Sequence, residues 1–227
     1  MVLPDYWLTR PSADYSEQAQ AAFDALLDTT LGAGGCQTID YTLPWAKWQF
    51  LCHIADHQDI ALHGSGEPSI ALFEPRKSDD LNDFGNQKAV YAAADGLWAM
   101  FFAIVDRERV MSISNACIRL ADNTGALRGP YYVFSVSQSA LAGRPWRTGW
   151  VYLLPRHTFT AQAPIAFGSY EVIVAQLASR VPVEPLAKLM ITPDDFPFLK
   201  YIRGHDDQRL QEYTTALQTA APWPDDL

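Results

Sequence analysis

What this chain lacks narrows its function first. No apolar stretch approaches the ~20 residues that cross a bilayer. The longest run, around residues 97–105, is about half that length. The opening residues Met1-Val2-Leu3-Pro4-Asp5 carry no basic patch followed by an apolar one, so they do not read as a secretory leader. Basic residues are scarce, 17 against 26 acidic ones, for a formal net charge of −9. Such a field repels phosphate backbones and argues against nucleic-acid binding, while leaving room for a single nucleotide in a locally different pocket. Only three cysteines are present, Cys36, Cys52 and Cys117, with no metal-ligand spacing. We read them as buried free thiols of a reducing compartment, which places the protein in the cytoplasm. Gly-x-Ser-x-Gly elbows, Walker-type phosphate loops, internal repeats and low-complexity tracts are all missing.

What remains is core-forming. Of 227 residues 48% are hydrophobic and 12% aromatic, enough for one domain with an extension and too many for a disordered chain. Helical spacing covers residues 16–31, with Asp14 or Ser16 as the cap and Gly32 to Gly35 as the stop. A second helix is expected over residues 44–57, with Pro44 at its first position. Together they form an N-terminal helical extension, residues 1–57, packed on a main domain of residues 58–227. A third helix should span 95–105. Beyond residue 110 strands dominate, over 110–120, 130–136, 149–154, 165–176 and 186–192, before a C-terminal helix over 206–219. Few connections could hold a crossover helix, so the expected class is α+β with antiparallel sheets.

Two motifs carry chemistry. Residues 59–62 read as a strand ending in His63 and the glycine-rich turn Gly64-Ser65-Gly66, where a ligand can approach bare main chain. Ala89-Val90-Tyr91-Ala92 sets a tyrosine in a short strand just before the third helix. An imidazole that donates or accepts, a free backbone and a rigid aromatic ring suit a flat, polar, nucleotide-like ligand. Residues 67–86 form a long polar connection containing Phe73-Glu74-Pro75-Arg76, of the kind that is often functional.

These motifs resemble the His-Tyr type of the ADP-ribosyltransferase superfamily, which includes the diphtheria-type toxins and the poly(ADP-ribose) polymerases. Gln87-Lys88-Ala89-Val90-Tyr91, Gly149-Trp150-Val151-Tyr152-Leu153-Leu154-Pro155 and Pro182-Val183-Glu184-Pro185-Leu186 extend the likeness, toward an uncharacterised bacterial subgroup, over residues 58–205. The resemblance implies a split antiparallel β core and NAD as substrate. His63 would bond a ribose hydroxyl, Gly64 the nicotinamide amide, Tyr91 would stack on its ring, Ser65 would be a further donor and Arg76 would pair with the pyrophosphate. The activity implied is mono-ADP-ribosyl transfer to a protein acceptor, or NAD glycohydrolysis with water as acceptor. The family's third residue is a Glu that stabilises the oxocarbenium-like transition state. Here Glu171 and Gln176 compete for that role. Their odd separation would point them to opposite faces of one regular strand. With Gln176 the charge is lost, and a non-catalytic NAD- or ADP-ribose-binding module becomes the alternative.

Other residues read more plainly. His53 and His57 lack a third zinc ligand, and no metal site is expected. Asp194-Asp195 reads as a helix start after Pro193 rather than a metal site. Ser135, Ser137 and Ser139 alternate as on an exposed strand face. Arg107-Glu108-Arg109 and Arg144-Pro145-Trp146-Arg147 read as solvated loop charges. Trp45, Trp48, Trp98, Phe101 and Phe102 read as core.

Overall fold

A layer of helices lies between two β-sheets in the computed structural model, which describes residues 3–13, 15–78 and 83–224. The first sheet runs β1 (Leu8–Thr9), β7 (Leu127–Ser137), β6 (Ile113–Asp122), β11 (Tyr170–Val174) and β10 (Ile165–Phe167), with β14 (Arg203–His205) beside β7. The second runs β2 (Gln37–Thr38), β13 (Ala187–Ile191), β8 (Gly149–Pro155), β3 (Ile60–Ser65), β5 (Lys88–Ala93), β12 (Gln176–Ser179) and β9 (Thr160–Ala161), with β4 (Arg76–Lys77) against β5. Among the described residues only β14–β7 and β2–β13 are parallel pairs. The protein is therefore mixed α+β, with two predominantly antiparallel sheets. No helix among the described residues is long and apolar enough to cross a membrane.

The helices follow their caps. Helix α1 (Glu17–Gly32) starts at Ser16, whose hydroxyl accepts from the Ala19 N–H; Asp14, the other candidate cap, lies outside the described residues. Helix α2 is Lys47–His57 and starts three residues later than its proline suggested. Pro44 precedes it in a bend, and the Gln49 side chain accepts from the Ala46 N–H at the helix start. Helix α3 (Gly96–Ile104) is capped by Asp95, which accepts from the Trp98 N–H at 2.9 Å. All of α3 except Phe102 is buried, because both sheets press on it. Two glycines allow that fit: a Cβ at Gly64 would collide with the carbonyl oxygen of Ala99, and one at Gly149 with that of Ala103. The short α4 (Gln138–Leu141) follows β7, and α5 (Leu210–Thr219) covers the outer face of the first sheet through Tyr213.

The N-terminal residues do more than add helices. They supply β1 to one sheet and β2 to the other. Arg10 reaches Asp95 at 2.7 Å and the Tyr132 hydroxyl at 3.1 Å, and pairs with Asp56. The cap of α3 is thus an ion pair with a residue 85 positions away.

The stretch 165–176 is not one strand. It is β10 and β11 in the first sheet, then β12 in the second. Ala175 makes the switch: its N–H bonds Cys117 of the first sheet, and its carbonyl accepts from Ala94 beside the second. Cys52 and Cys117 are buried free thiols as expected, but Cys36 is only half-buried. The serine ladder is likewise inside rather than outside, since Ser135 and Ser137 are fully buried while Ser139 is exposed.

Candidate functional site: a cleft between parted strands

Strand β3 continues through Gly64 and Ser65 instead of turning after His63. Its partner on one side, β8, is registered along its whole length, from Ile60↔Pro155 to Ser65↔Trp150. On the other side only Leu62↔Ala93 joins it to β5. Beyond that pair the strands part. Pro155 has no N–H, so Ile60 opposite it belongs to the non-hydrogen-bonded pairs with β8, and Leu62 and Gly64 follow by alternation. The N–H and C=O of Gly64 therefore face the gap, with no β5 residue registered against them.

The His63 imidazole bridges the opening. Its Nδ1 lies 2.6 Å from the Tyr91 carbonyl, taking a hydrogen bond that the β3–β5 ladder would otherwise have formed. The carbonyl accepts, so Nδ1 carries the proton and Nε2 is left as an acceptor with no partner among the described residues. The ring packs on Phe73 with centroids 4.7 Å apart. Burial lowers the His63 pKa below 6.5 against the opposing effect of the Tyr91 carbonyl, which keeps the ring neutral near pH 7.

Register puts Gly64, Tyr91, Ala93 and Gln176 on one face, because Leu62 pairs with Ala93, Gln176 with Ala93, and Ala178 with Tyr91. That face looks toward α3. The resulting cavity, about 160 Å³, is lined by His63, Gly64, Tyr91, Trp98, Phe102 and Gln176, with small residues between. Pockets for whole drug-sized ligands hold about 300–1,000 Å³. This one admits a single ring and leaves the rest of a larger ligand outside. Tyr91 is held by its hydroxyl, which accepts from the Gln87 N–H at 2.8 Å and lies 2.9 Å from the Gln87 carbonyl. Trp98 is held by its indole N–H, which donates to Asn115 at 2.6 Å. The Gln176 amide makes no hydrogen bond to the described residues and joins His63 Nε2 among the unengaged polar groups of the cavity.

The structure separates the other candidates. Glu171 is exposed on β11 of the first sheet, opposite Ala121 and Ala166, and does not line the cavity. Its separation from Gln176 is one of sheets rather than of faces. Ser65 points to the His63 side, and its hydroxyl accepts from the Glu67 N–H to hold the following turn. Arg76 is exposed on β4, paired with Ala89 at the outer end of β5. Part of the long connection, residues 79–82, lies outside the described residues. Trp98 and Phe102, read from the sequence as core, are walls of the cavity; their i, i+4 spacing on a helix flanking the Tyr91 strand was the available signal.

Two alternative sites carry less. His53 bonds Asp24 at 2.8 Å, and no group of three metal-ligating side chains forms among the described residues. A larger but open depression of about 290 Å³ lies at Gln138, Arg203, Gly204 and Trp223, where Arg203 stacks on the indole at 5.3 Å. It presents a single aromatic ring, where the cleft brings three together. Comparison with protein families, curated proteins and solved structures finds none that matches this chain.

Proposed function

We propose that this chain binds NAD through its nicotinamide–ribose half, in the cleft between β3 and β5, on an ADP-ribosyltransferase-like site whose third residue is Gln176. The observation that carries the reading is the parting of the two strands, which turns the Gly64 main chain toward the Tyr91 strand with Gln176 on the same face. A nicotinamide carboxamide both donates and accepts, and an N–H beside a C=O is its complement. Tyr91, Trp98 and Phe102 supply aromatic surface for the ring, where base-sized stacking is worth about 1–3 kcal/mol. His63 Nε2 is an acceptor for a ribose hydroxyl.

Gln176 decides between binding and turnover. Its amide can hydrogen-bond a ribose hydroxyl, yet it brings no negative charge to an oxocarbenium-like transition state. A carboxylate ~4 Å from that cation is worth about 4 kcal/mol at a surface-like dielectric, or roughly 10³-fold in rate. Glu171, exposed in the other sheet, does not replace it. The reading is therefore a binding module for NAD or ADP-ribose rather than a transferase acting on a protein acceptor or a glycohydrolase acting on water.

Calorimetry with NAD and a nicotinamide-release assay test it together. The expected result is NAD binding that Tyr91→Ala removes, no release by the natural chain, and release gained by Gln176→Glu. Release by the natural chain that Glu171→Gln abolishes would overturn the reading in favour of an enzyme. Absence of any NAD binding would remove the ligand.

A further inference from the structure

The helical wall of the cleft is fixed from outside it, by a buried carboxylate. Asp95 is only 2% exposed, and both its oxygens are engaged. Oδ1 accepts from the Trp98 N–H at 2.9 Å. Oδ2 accepts from the Arg10 guanidinium at 2.7 Å and from the Tyr132 hydroxyl at 2.8 Å. Arg10 also donates through Nε to that hydroxyl at 3.1 Å, which closes the three side chains into a ring of hydrogen bonds. Its remaining nitrogen bonds Asp56 near the end of α2, and Arg119 of β6 reaches the same carboxylate at 2.9 Å. A buried ion pair adds little net stability over well-packed apolar side chains. What Arg10 adds is direction, since each of its three nitrogens has its own partner and the guanidinium is planar and rigid.

That direction is passed to Trp98. Its backbone N–H is held by Asp95 and its indole N–H by Asn115 of β6, so main chain and ring are both fixed to the first sheet's side. Gly96, between Asp95 and Trp98, lies so close to Leu51 and Cys52 that a Cβ there would collide with their main chain. Trp98 and Phe102 of α3 form one wall of the cavity, facing Tyr91 and Gln176. Arg10 does not line the cavity. We propose that Arg10, acting through Asp95, is a positioning residue for the Trp98 wall and so sets the width of the slot that takes a ring. The link from Arg10 to Trp98 stands on the hydrogen bonds alone, whereas the link to ligand affinity rests on the NAD reading above. The rival role is plain anchoring of the N-terminal segment, which would change stability without moving the ring.

Two readouts separate positioning from anchoring. One is the indole N–H resonance of Trp98, assigned by its loss in Trp98→Phe; the other is NAD affinity by calorimetry. Both are taken well below the melting temperature of each variant. Arg10→Gln should move the resonance and weaken NAD about tenfold, as part of one ring's stacking is lost. Arg10→Lys should restore part of both. Tyr132→Phe keeps the ion pair and removes one bond to Asp95, so it should give a smaller change of the same sign and serves where Arg10→Gln does not fold. Arg119→Gln breaks only the far end of the network at Asp56, and His205→Ala lowers stability elsewhere in the first sheet; both should leave the two readouts unchanged. A lowered melting temperature in Arg10→Gln with neither readout moved would overturn the proposal in favour of anchoring, as would equal effects from His205→Ala. If the natural chain binds no NAD but Arg10→Gln alone moves the Trp98 resonance, the positioning role stands and the ligand reading fails. If NAD binding is lost in Tyr91→Ala and unchanged in Arg10→Gln, the ligand reading stands and the positioning role fails.

Discussion

Each sheet of this protein holds one histidine in a polar setting, and the two are built to opposite ends. His205, on β14 of the first sheet, is fully buried and has both ring nitrogens engaged. Ser135 lies 2.6 Å from its Nδ1 and Ser112 2.7 Å from its Nε2; Ser112 in turn bonds Asp207, which also accepts from Ser137 at 2.7 Å. Both ring nitrogens are used, and His205 lines neither of the two cavities described above. His63, in the second sheet, has one nitrogen engaged, one left over and a cavity beside it. A saturated network holds a fold together, whereas an unsaturated one in a recess can accept a ligand. The Ser-His-Asp set therefore reads as a latch that fastens the C-terminal segment to β7. Asp207 lies on the serine and not on the far imidazole nitrogen, so it does not orient His205 as a catalytic triad requires.

That contrast can be broken by substitution. His205→Ala should cost about 3–4 kcal/mol of stability in urea denaturation, by opening a cavity and stranding Ser112 and Ser135, while leaving the cleft's ligand affinity unchanged once folded. Gly64→Ala should cost about 2 kcal/mol, because the new Cβ pushes α3 off β3. Circular dichroism melts would show the fall, and NAD binding should be lost with it. His63→Ala should cost only about 1 kcal/mol, the worth of one hydrogen bond. It should nevertheless weaken NAD at least about tenfold. A stability loss at His63 as large as that at His205 would erase the distinction.

Titration sharpens it further. His63 is protonated less readily in the folded chain than in the unfolded one, so stability should fall as pH drops below about 6.5 and be flat above it. His63→Asn should remove that slope. Asp207 behaves differently. Burial raises its pKa, but hydrogen bonds from Ser112 and Ser137 and the proximity of His205 outweigh this and hold it below 3.8. Its contribution is present above that value and is lost only as the pH falls through the lower folded one. The smallest effect, about 1 kcal/mol, is expected for Ser137→Ala, with part of the Asp207 contribution lost from acid-denaturation curves.

Much of the local structure was legible. Ser16 and Asp95 act as helix caps because a short polar side chain before an apolar periodic run can satisfy free N–H groups. The strands at β7, β8 and β13 follow their apolar runs to within a few residues. The sheet switch at Ala175 left no trace, since nothing in the composition of residues 165–176 marks where pairing partners change. The two-residue strands β1 and β2 exist only through their partners. Ser135 and Ser137 read as exposed because alternation tells which residues share a face and never what covers it.

For the cleft the division is similar. Sequence alone determined that a strand runs into His63, that Tyr91 precedes a helix, and that the chain is acidic overall, because those properties reside in neighbouring residues and in composition. Tertiary structure decided that β3 and β5 part after a single pair, and that Gln176 and not Glu171 shares the Tyr91 face. Each of these depends on register between segments far apart in the chain. Register is set by the packing of α3 against Gly64 and Gly149, which a reading along the chain does not contain.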